Sequence, residues 1–356
     1  MHTSTLTFLL GLALRVAAQD MPEGLLGFNS GATMTNNRPK EESDFEAEFT
    51  TAQRLRGSPG SFNSVRLYTM IQAGTRTDPI SAFPAAIKTN TSMLLGIWCS
   101  GTTTIENELA AMNNAIEQYG QEWADLVVGV SVGSEDLYRA SESGVENDAG
   151  PGQDPDTIVR FIQETRAAME NTILANKPVI HVDTWSAWSN SSNTDVIQNV
   201  NAIGTDLYPY YEDDKGNAFS NTSEVFDYIY NETFRFANDT PVWVTETGHP
   251  HAGPEVGESV ASEDNSAQYW QMIGCGRLFG RVNTFWYNLR DSNTAIEEKF
   301  GITEDLSTTA RFNLTCPADS GAPAAVNLGA EPDSSANRAV ASWAVLGLAV
   351  VASCIM

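Results

Sequence analysis

The 356-residue chain is short of basic side chains, with 20 Lys plus Arg against 45 Asp plus Glu and a formal net charge of −25. A surface so biased repels phosphate backbones and anionic lipid headgroups, which excludes nucleic acid as an expected partner. Histidine and cysteine are scarce as well, with four of each. His249 and His251 stand two apart with no HExxH, and the cysteine spacings match no zinc pattern, so no metal site is expected. Residues 27–32 read GFNSGA, not the GxGxxG of a dinucleotide fold, and no cofactor is expected. Internal repeats and long low-complexity tracts are also missing.

What is present begins with the two ends. Residues 1–18 hold an apolar stretch closed by Val16-Ala17-Ala18, the layout of a secretory signal cleaved near Ala18. Asn-x-Ser/Thr sequons at Asn90, Asn190, Asn221, Asn231, Asn238 and Asn313 fit that route, although Pro241 after the Asn238 sequon makes it a poor acceptor. Residues 317–337 are small, Pro-containing and patternless, and read as a short flexible stalk. Residues 338–356 open on Arg338 and then form an uncharged, mostly apolar run, Ala339–Met356, preceded by small residues around Asp333–Asn337. This is the layout of a GPI signal, removed on attachment of the lipid anchor. A transmembrane helix is the alternative, weakened because no Lys or Arg follows to hold it in the cytoplasm. Cys354 would leave with the tail. Of the remaining three cysteines, Cys275 pairs with Cys316 in this reading, and Cys99 is expected to be buried in a strand.

Between the ends, strand-like and helix-like segments alternate. Apolar, β-branched runs occur at 25–29, 64–69, 92–98, 126–132, 178–183, 202–208, 241–245 and 281–287. Helical spacing fills the intervals, with Ile105, Leu109, Met112 and Ile116 on one face of 105–119, and similar patterns at 224–236 and 266–279. Asp154-Pro155 supplies an N-cap and a first-turn proline ahead of Ile158, Phe161, Ile162 and Thr165. Such alternation over 19–316 predicts an α/β fold, a (β/α)8 TIM barrel, in preference to a doubly wound sheet.

Two of the apolar runs stop at a glutamate: VGVSVGSED at Glu135 and VWVTETGHP at Glu246. On a barrel, the fourth and seventh strands would project both carboxyl groups from the same face into one cleft. Paired carboxylates are the chemistry of glycoside hydrolysis, one acting as nucleophile and the other as acid and then base. Aromatic and polar side chains at strand ends suit sugar faces and hydroxyls. Asn29, Tyr68, Asp206, Tyr208 and Trp286 are the candidate substrate-binding residues, with Trp98, Trp185 and Tyr210 nearby. Tyr208 is the candidate hydrogen-bond donor to Glu246.

The segments GVSVGSEDLYR at 129–139, TDLYPYY at 205–211 and WVTETGHP at 243–250 resemble glycoside hydrolase family 17, in particular its secreted, GPI-anchored fungal endo-1,3-β-glucanases. The resemblance covers roughly 25–316 and implies a (β/α)8 barrel, a retaining mechanism and β-1,3-glucan of the cell wall as substrate. It makes Glu135 the acid/base and Glu246 the nucleophile. Two positions depart from the wider pattern: Ser134 stands where many related barrel glycosidases carry Asn, and His249 where the family more often shows Trp. His249 is open to two readings, a sugar-facing residue or a plain loop residue. A monomer at the cell surface is expected. The alternatives are a 1,3-β-glucanosyltransferase, a non-catalytic glucan-binding wall protein, which should have lost a carboxylate, and a metal-dependent esterase, which lacks its ligand set.

Overall fold

A computed structural model describes residues 21–293, 296–318 and 320. The expected signal segment, nearly all of the stalk and the GPI tail lie outside the described residues. Eight strands form one closed parallel barrel in sequence order: β1 Leu26–Ser30, β2 Ser64–Leu67, β3 Ser92–Ile97, β4 Val127–Ser134, β5 Val179–Thr184, β6 Ala202–Leu207, β7 Val242–Thr247 and β8 Thr284–Trp286. β1 pairs with β8 to close it. Interleaved helices cover the outside, so the fold is the expected (β/α)8 barrel.

Element ends shift from the sequence reading where turns and caps decide them. β8 keeps only three residues of the run at 281–287, and β4 extends to Ser134. The helix read over 105–119 runs from Glu106 to Leu126, interrupted at Gly120, whose φ of 58° and ψ of −144° are not helical. The 266–279 helix begins at Glu263 and continues with π-helical turns over Trp270–Leu278. Asp154 caps its helix as read, accepting from the Thr157 backbone N–H, and Ile158, Phe161, Ile162 and Thr165 are buried.

Packing separates two environments. Leu94, Ile180, Val182, Ala202, Trp243 and Phe285 point inward and plug the barrel with apolar side chains. Larger apolar layers lie between strands and helices, one around Phe83, Trp123 and Phe161, another around Phe62, Trp270 and Trp286. Cys275 and Cys316 form a disulfide, with Cα atoms 5.3 Å apart, tying the last helical segment to the final described residues. Cys99 is buried as expected but lies two residues beyond the end of β3, not in a strand.

Two register shifts prepare the C-terminal face. Opposite β5, β4 slips between Ser131 and Ser134; between β6 and β7 the slip falls at Thr205/Asp206, where Asp206 pairs with Glu246. A bulge of this kind breaks strict alternation and re-aims the side chains beyond it. Each slip immediately precedes one of the two glutamates.

Candidate active site

Glu246 lies one residue before the end of β7 and has no solvent exposure, 0 %. Its Oε1 accepts from Arg66 Nη1 at 2.5 Å and from the Tyr68 hydroxyl at 2.6 Å. Its Oε2 accepts from the Tyr208 hydroxyl at 2.7 Å, the hydrogen bond read from the sequence. Arg66 and Tyr68 share a face because they alternate along the β2 direction. Burial, and then the neighbouring Glu246 charge, hold the Tyr68 and Tyr208 hydroxyls well above their ordinary pKa, so both stay protonated donors. Asn29 completes the cradle from β1. Its amide donates to the Thr245 and Phe285 carbonyls, at 3.1 and 3.2 Å, and its Oδ1 accepts from Arg66 at 3.0 Å.

Glu135 follows β4 directly, in the left-handed region at φ 56°, and opens the short helix Asp136–Ala140. Non-glycine residues in this region are uncommon and concentrate at functional sites. Arg139 is the ion-pair partner of the Glu135 carboxyl among the described residues: Nη2 lies 3.3 Å from Oε2, while Nη1 is spent on the Ser134 carbonyl at 2.6 Å and Ser100 at 2.7 Å. Burial pushes the Glu135 carboxyl up to about 7; Arg139 opposes the rise and Glu246 adds to it. Arg66 spans the two seats, because its Nη2 donates to Ser134 Oγ at 2.9 Å, beside Glu135. The serine at 134 thus ties the backbone beside Glu135 to the guanidinium that holds Glu246.

A cleft opens beside this centre, lined by Asn29, Tyr68, Trp98, Tyr287 and Asn288. It adjoins a hollow of about 490 Å³ on the far side of Trp98 and Thr69, bounded by Ile71, Arg76, Ile105 and Glu108. Neither glutamate lines these spaces. Glu246 sits directly against the lining, where the Tyr68 hydroxyl donates to it. The hydrogen-bond cradle of Arg66, Tyr68 and Tyr208 converges on Glu246.

The other candidates divide. Trp98 faces the cleft, with the Arg139 guanidinium 5.3 Å from its ring. Asp206 is buried at 2 % exposure beside Glu246; one oxygen accepts from Thr245 and the other has no hydrogen-bond partner among the described residues. Burial, and then the Glu246 charge, raise its pKa well above the ordinary carboxylate range, while Arg66 opposes the rise. Trp185 lies at the rim, donating to Glu212 and packing edge-on to Tyr228.

Trp286 is a correction. It points out of the barrel and packs against Tyr269, Trp270 and Phe279 at 1 % exposure, where no sugar reaches it. The short β8 presents Phe285, not Trp286, to the barrel interior. Tyr210 is likewise buried, its hydroxyl donating to the Pro254 carbonyl. His249 is the plain loop residue of the two readings: it is nearly covered among Tyr210, Phe219 and Tyr269, with Nε2 on the Val260 carbonyl, and burial lowers its pKa to about 4.

Sequence reading missed Arg66, Arg139, Tyr287 and Asn288. Arg66 left a trace: a lone charge inside SVRLYT must be paired if the run is buried. Among the described residues, no group of three or more His, Cys, Asp or Glu side chains is arranged to hold a metal ion.

Comparison with known proteins adds a family. The model of the BtgE/BtgC glycoside hydrolase domain matches residues 29–304. A protein of Aspergillus oryzae named "Probable glucan endo-1,3-beta-glucosidase" is 49% identical over 313 residues, 87% of this chain and 66% of that protein. An Aspergillus fumigatus protein of the same name is 46% identical over 316 residues, covering 88% and 70%. The chain spans about two thirds of the length of these relatives. Among solved structures, a glycoside hydrolase family 17 beta-1,3-glucanosyltransferase from Rhizomucor miehei superposes with a TM-score of 0.62 at 19% identity, over 80% of this chain and 98% of that one, a likeness of fold.

Proposed function

The chain belongs to the BtgE/BtgC glycoside hydrolase family, and on that premise we propose that it is an endo-1,3-β-glucan hydrolase working with retention through a glycosyl-enzyme intermediate. The substrate follows from the names of the Aspergillus relatives. The observation that carries the mechanism is the inequality of the two carboxylates. Glu246 accepts three strong hydrogen bonds, one of them from a guanidinium, and Glu135 sits in a buried seat that favours its protonated form.

In the first step Glu246 attacks the anomeric carbon as Glu135 gives its proton to the departing glycosidic oxygen. The C–O bond to the leaving chain breaks, and an α-linked glycosyl ester forms on Glu246. Glu135, now a carboxylate, takes a proton from water, which displaces Glu246 and restores the β configuration. Arg66, Tyr68 and Tyr208 position Glu246 and take up the charge returned to it. Tyr68 and Trp98, on the cleft wall, are the sugar-contacting residues of this reading, and Asn29 and Asp206 act through Arg66 and Thr245.

The protein works at the cell surface in this reading, secreted through its signal segment and held by a GPI lipid, a location supported by the sequence signals at its two ends. Release of active protein by ending the chain after Cys316 tests the anchor; a truncated protein that stays on membranes would contradict it. The activity is tested by incubating residues 19–316 with linear β-1,3-glucan oligosaccharides and following products by mass and by NMR. Short products born as the β-anomer are expected. First-formed α-anomers would overturn retention, and products longer than the substrate would assign transfer in place of hydrolysis.

A further inference from the structure

Two fully buried residues of β5, His181 and Asp183, take no part in the steps above. They alternate with Ile180 and Val182, which fill the barrel, so they face outward beneath the turn that leaves β4. His181 Nδ1 lies 2.5 Å from the Val132 carbonyl oxygen and Nε2 lies 3.2 Å from Asp183 Oδ2. A carbonyl can only accept. The Asp183 carboxylate also serves as acceptor, taking the backbone N–H groups of Leu137, Tyr138 and Thr184 at 2.8, 3.2 and 2.9 Å. Each ring nitrogen therefore faces an acceptor and must carry a hydrogen, which makes the ring an imidazolium.

The surroundings agree. Burial works against the charge, but bonding to Asp183 and the charges of Asp183 and Asp136 raise the ring's pKa above its ordinary value. Asp136, on the helix after Glu135, faces the ring across Gly133; burial raises its pKa, and the charges of Arg139 and His181 oppose the rise. From the helix after β5, the Trp188 ring packs on His181, edge-on at 5.5 Å. Gly133 has a φ of 88°, and a Cβ there would lie 2.8 Å from His181 Cε1 and 2.6 Å from Asp136 Oδ2. Only glycine lets the turn settle this closely.

Val132 precedes Glu135, and Leu137 and Tyr138 follow it. We propose that protonated His181, with Asp183, is a positioning pair that ties down both ends of the Val132–Tyr138 turn and thereby aims Glu135 at the glycosidic oxygen. The inference rests on Glu135 being the acid/base.

The test compares His181→Gln with Glu135→Gln on β-1,3-glucan and on an aryl laminari-oligoside with an activated leaving group. Glutamine cannot donate to both acceptors at once. His181→Gln should lower kcat on glucan by ~10²-fold with KM changed less than about threefold and lose much less on the activated substrate, as a smaller copy of Glu135→Gln. Equal loss on both substrates, with Glu135→Gln showing the split, would overturn the positioning role. No split in Glu135→Gln itself would overturn the acid assignment instead. If His181→Gln does not fold, Asp183→Asn is read against the same two outcomes. Independently, ¹⁵N-histidine NMR of the unaltered protein should show one buried ring with both nitrogens protonated at pH 7, while His249 is neutral. A neutral His181 at that pH would end the proposal.

Discussion

Glu135 and Glu246 reach the same face of the barrel by the same backbone device, a register slip just upstream, yet they sit in opposite surroundings. Glu246 is met by a buried guanidinium and two tyrosine hydroxyls that cannot themselves ionise in the working range. Glu135 has a single 3.3 Å contact to an arginine whose better hydrogen bonds go elsewhere. Supplying donors favours the carboxylate form; withholding them in a buried site favours the acid. Two identical side chains thus meet opposite hydrogen-bonding surroundings. Arg66 links the seats, so a change at one is felt at the other.

The most severe break is Glu246→Ala. Turnover of glucan should fall by about 10⁴-fold or more, ~5 kcal/mol of barrier, and azide should restore it in part as the α-glycosyl azide. The same variant removes the salt-bridge partner of the buried Arg66, a cost of ~3–5 kcal/mol seen as a lowered Tm. A Tm equal to that of the unaltered protein would mean that the Arg66 pairing contributes little.

Next in size is Glu135→Gln, expected to cost ~10²–10⁴-fold on glucan and far less on substrates with good leaving groups. Its effect on stability should be opposite to that of the first variant. Because the folded pKa of Glu135, about 7, stands above its unfolded value, the folded state holds the proton more tightly, and the stability this gives is lost as pH rises from roughly 4.5 to 7. Glu135→Gln should remove that portion of the pH dependence, as urea unfolding at pH 5 and pH 8 would report.

In the unaltered enzyme, kcat/KM on glucan should decline as pH rises through about 7, where the acid loses its proton, and the activated substrate should show a weaker decline in its glycosylation step. Smallest is Tyr208→Phe, which deletes one of three donors to Glu246. A loss of about ten- to a hundredfold in kcat is expected, matching ~1.5–3 kcal/mol for a hydrogen bond to a charged group. Stopped assays on Tyr208→Phe and Tyr68→Phe would show whether the two hydroxyls contribute alike.

Much of this was legible in the sequence, because the signals were local. Continuous apolar runs and 3.6-residue spacing specify the barrel, and each glutamate ends its run in a distinctive segment. The rest depended on contacts between strands distant in the chain. Arg66 and Glu246 are 180 residues apart, and only barrel closure brings them together. Trp286 was misread because a strand of three residues leaves one position to decide between the barrel interior and the helix layer. The bulges at β4 and β7 defeat simple alternation, so the period-2 pattern could not tell which way Glu135 and Glu246 would point. His181 and Asp183 looked like ordinary members of an apolar strand until their acceptors were placed.

The division of labour between the two glutamates is tested most directly by trapping. A 2-deoxy-2-fluoro laminari-oligoside with an activated leaving group slows release of the covalent intermediate, and the labelled peptide can be sequenced by mass spectrometry. A sugar esterified to Glu246, within VWVTETGHP, is the predicted result. A label on Glu135, or time-dependent turnover with no covalent label on either glutamate, would contradict it.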